Sequence, residues 1–469
     1  MRINKPHYSK SRGKDKKTPQ VLIFGLGLNG GGVGSARFFG RQGAKVIVTD
    51  LRTKETLSAS LDKLAHFPNI KYVLGKHRLV DFLTSDLIVK NPAIPWDNLF
   101  LKKARAKGIP ITTDTILFFN QTPAPVIGVT GTKGKSTTAT LLAELLQKKY
   151  SRVRPELRRR VWLLGNIRES FLDKLPQIKS KDIIVAELSS FQLEDLALIK
   201  KSPHIAIITN IFPDHFNRYD SLKNYIKAKT NIFLYQKPKD HLIINGNDKL
   251  LVKLTKNAKA PLSGAKAKKH FLPSPFKPLK GEGSPLEINI ALAIQAAKIL
   301  KVSKKEIGRT VKNFSGLAGR QEIIRKFKNR IFINDTTATN PTAVLVGLKY
   351  LNKKYRQPII LIAGGQNKNL DYKNLAQEIN PSPFKSLKGG GVKELILLPG
   401  SATEKIKKYL RINFSEVKNM KEAVKKAYRS SSPGDLILLS PGAASFNLFQ
   451  NEFDRGDRFD KAIKRLASE

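Results

Sequence analysis

The stretch that most restricts how this chain can fold is Gly128-Val-Thr-Gly131-Thr132-Lys133-Gly134-Lys135-Ser136-Thr137-Thr138. A strand pattern, Val126–Val129, runs into it and a helical stretch leaves it. Read from Gly128, the segment Gly134-Lys135-Ser136 closes a phosphate-binding loop of the G-x-x-x-x-G-K-[ST] kind. Its glycines let backbone N–H groups turn inward around phosphate oxygens. Lys135 is expected to neutralise the β/γ-phosphates, and the Ser136 hydroxyl to bind Mg²⁺. Such a loop names a nucleotide and no reaction, because kinases, GTPases, helicases and ligases share it.

The 469 residues are enough for about three domains at ~150 residues each. No run approaches the ~18 to 20 apolar residues of a membrane span, so no membrane insertion is expected. Residues 1–19 read as a basic, disordered tail without the apolar segment of a secretory signal. Cysteine is absent, which excludes disulfides, thiolate metal sites and a cysteine nucleophile, and fits a cytoplasmic protein. The formal charge of +48 would attract polyanions. It is spread along the chain, and no zinc-finger, RRM or KH signature accompanies it, so no dedicated nucleic-acid role is expected.

Short β-branched runs alternate with amphipathic stretches, the pattern of an α/β protein. Residues 20–119 open with the strand Val21–Phe24, a cluster of glycines, a helix from Ser35 to Gln42, and a second strand, Lys45–Thr49, ending at Asp50. That order describes a Rossmann-like domain. Its glycines and helix N-terminus favour an anion such as a diphosphate. Residues 120–316 hold the phosphate loop and form a central P-loop ATPase-type α/β domain. Residues 317–469 carry three strand candidates, Pro358–Ala363, Glu394–Leu398 and Asp435–Leu439, and read as a C-terminal Rossmann-like α/β domain.

The loop GVTGTKGKSTT resembles the G-T-x-G-K-[ST]-[ST] variant of the Mur ligase and folylpolyglutamate synthase superfamily. Further stretches match in order: Gly165-Asn166-Ile167, Glu187 to Glu194, Thr209 to Tyr219, Tyr225 to Lys229, Gly316 to Arg320, Asn334 to Pro341, Ala363 to Lys368, Leu439 to Phe446, and Arg455 to Phe459. Within the superfamily, GLGLNG at Gly25 to Gly30, N-D-x-x-A-T-N at Asn334 to Asn340 and S-P-x-x-A-S-F at Ser440 to Phe446 are similar to the D-glutamate-adding branch.

The resemblance implies an ATP-dependent ligase that joins D-glutamate to UDP-N-acetylmuramoyl-L-alanine through an acyl phosphate, with Mg²⁺, as a cytoplasmic monomer. Phosphoryl transfer of this kind is mostly positioning and charge neutralisation. By resemblance, Gly131, Thr132, Lys133, Gly134, Lys135, Ser136, Thr137, Asn289, Arg320 and Asp335 would bind ATP. Ser136, Glu187, His215 and Lys229 would hold the metal, with Lys229 carrying a carbamate that turns a cation into an anion. Lys135, Lys229, His215 and Glu187 would be catalytic. Leu28, Asn29, Asp50, Arg52 and Asn166 would hold the uridine-diphosphate substrate, and Thr339, Lys368, Ser445 and Phe446 the D-glutamate. Lys368 also has a reason of its own, since an amino diacid needs a cation beside its side-chain carboxylate.

Four places depart from that pattern. Thr337 stands where a lysine is usual, so one charge contact is expected to be missing. Pro285 and Leu286 replace the His and Asn of G-x-H-N-x-x-N, Gly316-Leu-Ala318-Gly319-Arg320 replaces G-L-P-H-R, and Arg168 follows Ile167 where glycine is common. A sister ligase of other specificity, a nucleic-acid-stimulated P-loop ATPase and an inactive homologue are the competing readings. The linker motif opposes the first, and Lys229, His215 and the N-terminal domain oppose the second.

Overall fold

The computed structural model describes residues 18–466 apart from 29, 168, 217, 247, 257–267, 272–284, 315, 381–389 and 446–447. The expected tail lies almost wholly outside the described residues, as do Asn29, Arg168 and Phe446. The chain divides into two compact units. One comprises the described part of Met1–Ala124 with Leu164–Ser180 and Asp195–Ile199; the other comprises Pro125–Leu163, Lys181–Glu194 and the described part of Lys200–Glu469. Three sheets give three α/β domains.

The first unit holds β1 (Gln20–Phe24), β2 (Lys45–Asp50), β3 (Ile70–Leu74), β4 (Leu87–Lys90) and β5 (Ile111–Thr112) in the order β3-β2-β1-β4-β5. Every pairing is parallel. Val21, Leu22, Ile23 and Phe24 are all buried, as a central parallel strand covered on both faces requires. The helix after β1 spans Gly31–Arg41 and so begins earlier than the expected Ser35. On this unit the short helix Phe171–Lys174 packs by Phe171 stacking on Phe118 at 4.5 Å, and Asp173 receives Arg37 at 2.6 Å.

The central sheet contains β6 (Val126–Thr130), β7 (Val161–Gly165), β8 (Ile183–Glu187), β9 (Ile205–Ile208), β10 (His241–Ile244) and β11 (Lys268–Phe271), ordered β11-β10-β9-β6-β8-β7. The middle strand β6 is buried throughout and pairs parallel with β8 and β9. The helices Lys135–Ser151 and Pro285–Ile299 close one face over Val129, Val185 and Ile207. The phosphate loop therefore leaves the C-terminal edge of the central strand, the position where parallel α/β sheets receive ligands.

The third sheet contains β12 (Glu322–Phe327), β13 (Arg330–Asn334), β14 (Pro358–Gly364), β15 (Gly391–Leu398), β16 (Phe414–Glu416) and β17 (Leu436–Leu439), ordered β12-β13-β17-β14-β15-β16. On β14, Ile359, Leu361 and Ala363 enter one core while Ile360 and Ile362 enter the other. This is the two-residue period of a strand covered on both sides. The pairing of β12 with β13 is antiparallel, and the remaining pairings of this sheet are parallel. Lys328 and Asn329, both at positive φ (44° and 55°), connect Phe327 to its partner Arg330. That is a two-residue hairpin with the twist of a type I′ turn.

Candidate active site

The helix Lys135–Ser151 starts at Gly134, whose φ of 84° is left-handed and whose missing Cβ leaves room for the Asn289 side chain. A side chain here would strain the backbone and collide with Asn289. With no side-chain cap, the first amides of this helix stay directed at the loop, an arrangement suited to an anion. Five residues separate Gly128 from Gly134, one more than G-x-x-x-x-G-K-[ST] allows. Gly128 is moreover a residue of β6, so the working loop starts at Gly131.

The side chains around this loop form one connected set. Lys135 Nζ donates to the carbonyls of Gly131 at 2.9 Å and Thr132 at 3.1 Å. Arg320 donates to the Ser136 hydroxyl at 2.8 Å. Glu187, at the end of β8, is buried and acts electrostatically on Lys135 and Lys229. Lys229, in the helix Leu222–Leu234, is buried as well. Its Nζ donates to Gly131 O at 2.9 Å and lies 4.7 Å from the centre of the Tyr225 ring. Burial first, then the neighbouring Lys135, holds Lys229 well below the ordinary lysine range. The surroundings thus work against the charged ammonium.

Asp214 and His215 follow β9. His215 has a left-handed backbone, φ 57°, in which few non-glycine residues are found. Burial, only partly opposed by Asp214, pushes its imidazole down to about 4, so it is neutral at pH 7. Burial would raise the Asp214 carboxyl, but Lys368, His215 and Lys133, together with the Asn340 amide at 3.0 Å, hold it far below the usual range. Lys368 Nζ lies 3.6 Å from Asp214 and donates to the Thr339 hydroxyl at 3.2 Å. Asp335 accepts from the Ser440 hydroxyl at 3.0 Å and from Gln321 N at 3.3 Å, and burial raises it to about 6. The loop of Ser445 is held to that of Lys368 by the paired backbone bonds of Gln366 and Ala444, both 2.9 Å.

In the first unit, Asp50 ends β2 and accepts from Gly27 N at 3.1 Å and Arg52 N at 3.0 Å, with the Arg52 guanidinium at 3.2 Å. The half-buried Leu28 lies in the same glycine turn, and Asn166 lies exposed in the turn after β7.

Patterns for the Mur ligase MurD-like N-terminal domain, the Mur ligase middle domain and the Mur ligase glutamate ligase domain match residues 19–113, 129–272 and 319–442. The chain belongs to the Mur ligase family. This Mur ligase is 37% identical over 479 residues to the UDP-N-acetylmuramoylalanine–D-glutamate ligase of Roseiflexus sp. (strain RS-1), covering 95% of this chain and 98% of the relative. It is also 37% identical over 470 residues to the ligase of that name in Borreliella afzelii (strain PKo), covering 96% and 98%. Among solved structures, the UDP-N-acetylmuramate-alanine ligase of Thermotoga maritima superposes with a TM-score of 0.59 at 19% identity, over 96% of this chain and 99% of that one. The MurF ligase of Thermotoga maritima in complex with ADP gives 0.57 at 14% identity, over 90% and 96%. Those two likenesses concern the fold alone.

Several residues of this Mur ligase that hold the site together carried no role in the sequence reading. Asn210 receives Lys133 N at 2.9 Å and donates back to Lys133 O at 3.0 Å. Tyr225 and Thr132 share a hydroxyl bond at 3.2 Å. Arg455 is fully buried and donates to the Thr336 hydroxyl (3.1 Å), Thr336 O (2.8 Å) and Ala443 O (3.1 Å). All lie in or beside the motifs quoted above, which was the available signal. The departure at Gly319 has a structural cause. Its φ is 69°, and a Cβ would come within 2.7 Å of the Thr336 methyl, so histidine has no room there.

Proposed function

We propose that this chain joins D-glutamate to UDP-N-acetylmuramoyl-L-alanine, converting ATP to ADP and phosphate. The observation that carries this reading is end-to-end similarity to D-glutamate ligases at 37% identity. The substrate carboxylate attacks the γ-phosphorus and forms an acyl phosphate. The amine of D-glutamate then attacks the acyl carbon, and phosphate leaves. Both steps concentrate negative charge on phosphate oxygens, so the site must supply cations and N–H donors already in place. Lys135, Arg320 and the amides following Gly134 meet that need.

Mg²⁺ would supply charge neutralisation on the phosphates. Among the described residues no three His or carboxylate side chains converge on one point. Glu187 and His215 therefore fit the metal best when joined by the Ser136 hydroxyl and by a carbamate on Lys229. A neutral, buried lysine amine is the form that adds CO₂, and the resulting anion would sit among Lys135 and the phosphate loop. Asp50, Arg52, Leu28 and Asn166 are proposed to receive the uridine-diphosphate substrate, and Thr339, Lys368 and Ser445 the D-glutamate. Among the described residues no helix is long and apolar enough to cross a membrane. A cytoplasmic monomer is the assembly and location proposed with this function.

The test is phosphate release with Mg-ATP and UDP-N-acetylmuramoyl-L-alanine, adding D-glutamate, L-glutamate or other amino acids singly. Release that depends on D-glutamate, with the ligated product seen by mass, is expected. Release with a different amino acid, or with none, would refute the assignment.

A further inference from the structure

The phosphate loop carries two lysines that go in different directions. Lys135 turns back into its own loop, donating to Gly131 O and Thr132 O. Lys133 is fixed at its backbone on both sides by the Asn210 amide, at 2.9 and 3.0 Å. Its side chain leaves the loop, and Nζ donates to Thr337 O at 2.6 Å. That carbonyl belongs to the segment joining β13 to the helix Pro341–Tyr355. Two residues further on, Lys368 Nζ reaches the Thr339 hydroxyl at 3.2 Å. Two ammonium groups from separate loops thus flank Thr337–Thr339. Lys133, Lys368 and Asp214 are within electrostatic reach of one another. Asp214 and Asp335 are the carboxylates acting on this group, set against the four cations Lys133, Lys368, Arg320 and Lys135, so positive charge remains in excess.

An ammonium has three donors. The described contact of Lys133 uses one, on Thr337 O, and a carboxylate is the natural partner for the others. An acidic amino acid brings two carboxylates, and Lys368 answers one of them. We propose that Lys133 is a specificity-determining residue for the incoming amino acid, taking one carboxylate of D-glutamate while Lys368 takes the other. This assignment rests on the D-glutamate ligase reading. It gives Lys133 a role separate from the ATP contact expected of a phosphate-loop residue. Loss of solvent around the ammonium, partly opposed by Asp214 and reinforced by Lys368, Arg320 and Lys135, pushes Lys133 down to about 7. A carboxylate brought against this ammonium would favour its charged form.

The experiment compares wild type, Lys133→Asn and the double variant Lys133→Asn/Thr337→Lys, which moves the cation onto the residue whose carbonyl accepts from Lys133. KM is measured separately for D-glutamate, ATP and UDP-N-acetylmuramoyl-L-alanine. Binding of an ATP analogue by calorimetry confirms that each variant is folded. Lys133→Asn should raise the D-glutamate KM about tenfold or more, the effect of losing one charge-assisted contact. The ATP KM should stay within about threefold, and the double variant should recover most of the loss. D-glutamine and D-isoglutamine each lack one carboxylate. The variant should lose its penalty against whichever lacks the carboxylate that Lys133 takes. A raised ATP KM with unchanged D-glutamate KM would place Lys133 on the nucleotide and overturn the assignment, as would an equal penalty against both amides. Wild type without D-glutamate-dependent turnover would sink the function itself, and this assignment with it.

Discussion

Arg455 offers a perturbation whose size can be worked from the structure. Its guanidinium is fully buried and bonds only carbonyl and hydroxyl oxygens, two on Thr336 and one on Ala443. Hydrogen bonds from a charged donor contribute ~1.5–3 kcal/mol each, so the three together amount to roughly 4.5–9 kcal/mol. Against this, burial holds the guanidinium at about 10 where 12.5 is ordinary. At ~1.4 kcal/mol per pH unit, that cost is about 3.5 kcal/mol. Arg455→Met keeps the apolar stem and removes the charge, so the net loss should be about 1–5.5 kcal/mol. The loss should fall on the two loops the arginine joins, one carrying Thr339 and the other Ser445. Hydrogen exchange is the suitable assay, because it reads local opening where a multidomain chain need not unfold in one step. Protection should fall at Gly442 N, bonded to Ala338 O, and at Ala444 N, bonded to Gln366 O. The phosphate-loop helix should be unaffected, and the D-glutamate KM should rise more than the ATP KM. Unchanged exchange in both loops would refute the reasoning.

Gly134→Ala should weaken ATP binding by about tenfold or more, since it adds left-handed strain to a clash with Asn289; calorimetry with an ATP analogue checks this. Lys229→Ala should lower turnover on the order of a hundredfold or more. Wild type equilibrated with ¹³C-bicarbonate should show a carbamate carbonyl resonance that Lys229→Arg lacks. Asp195, in the helix Ser190–Leu198, accepts from Trp96 Nε1 at 3.0 Å and lies 3.6 Å from Lys90 Nζ, both within the first unit. Burial raises its carboxyl to about 6 against the attraction of Lys90. A raised carboxyl favours the fold while protonated, so this contribution is present below about pH 4 and lost as pH rises through about 6, roughly 3 kcal/mol in all. Asp195→Asn should remove that part of the pH dependence, and parallel stability curves for the two proteins between about pH 4 and 6 would count against it.

The sequence is most legible where burial and backbone geometry leave little choice. Val21–Phe24, Val126–Val129 and Pro358–Ala363 are largely apolar runs that lead into glycine-bearing turns, and each proves to be a strand buried on both faces apart from Pro358. The pair β12 and β13 escapes such reading because Glu322–Phe327 lies half in solvent and is rich in charge. Three-residue β16 has no pattern to detect. At the candidate site, loop chemistry identifies Gly134, Lys135 and Ser136, because each residue type has a stated job. The destinations of Lys133 and Arg455 are not legible. In a chain with 85 lysines and arginines, residue type says nothing about which cation turns inward. Only the fold brings Asn210, Thr337 and Ala443 to them.

The hairpin of β12 and β13 bears on how the C-terminal domain assembles. Phe327 and Arg330 pair across two residues, whereas Ile331 must find Leu436 and Ile359 must find Val392 across long stretches of chain. The entropy of closing a loop rises with its length, and hairpins form in ~1–10 μs. The edge of this sheet can therefore be in place before its parallel interior, with Asn334 already held at the end of β13 and the residues after it, the anchor points of Lys133, Lys368 and Arg455, next in line to be ordered. Ordering of the segment after β13 would then follow the most local contact in its sheet, and the slow, long-range closures would come afterwards.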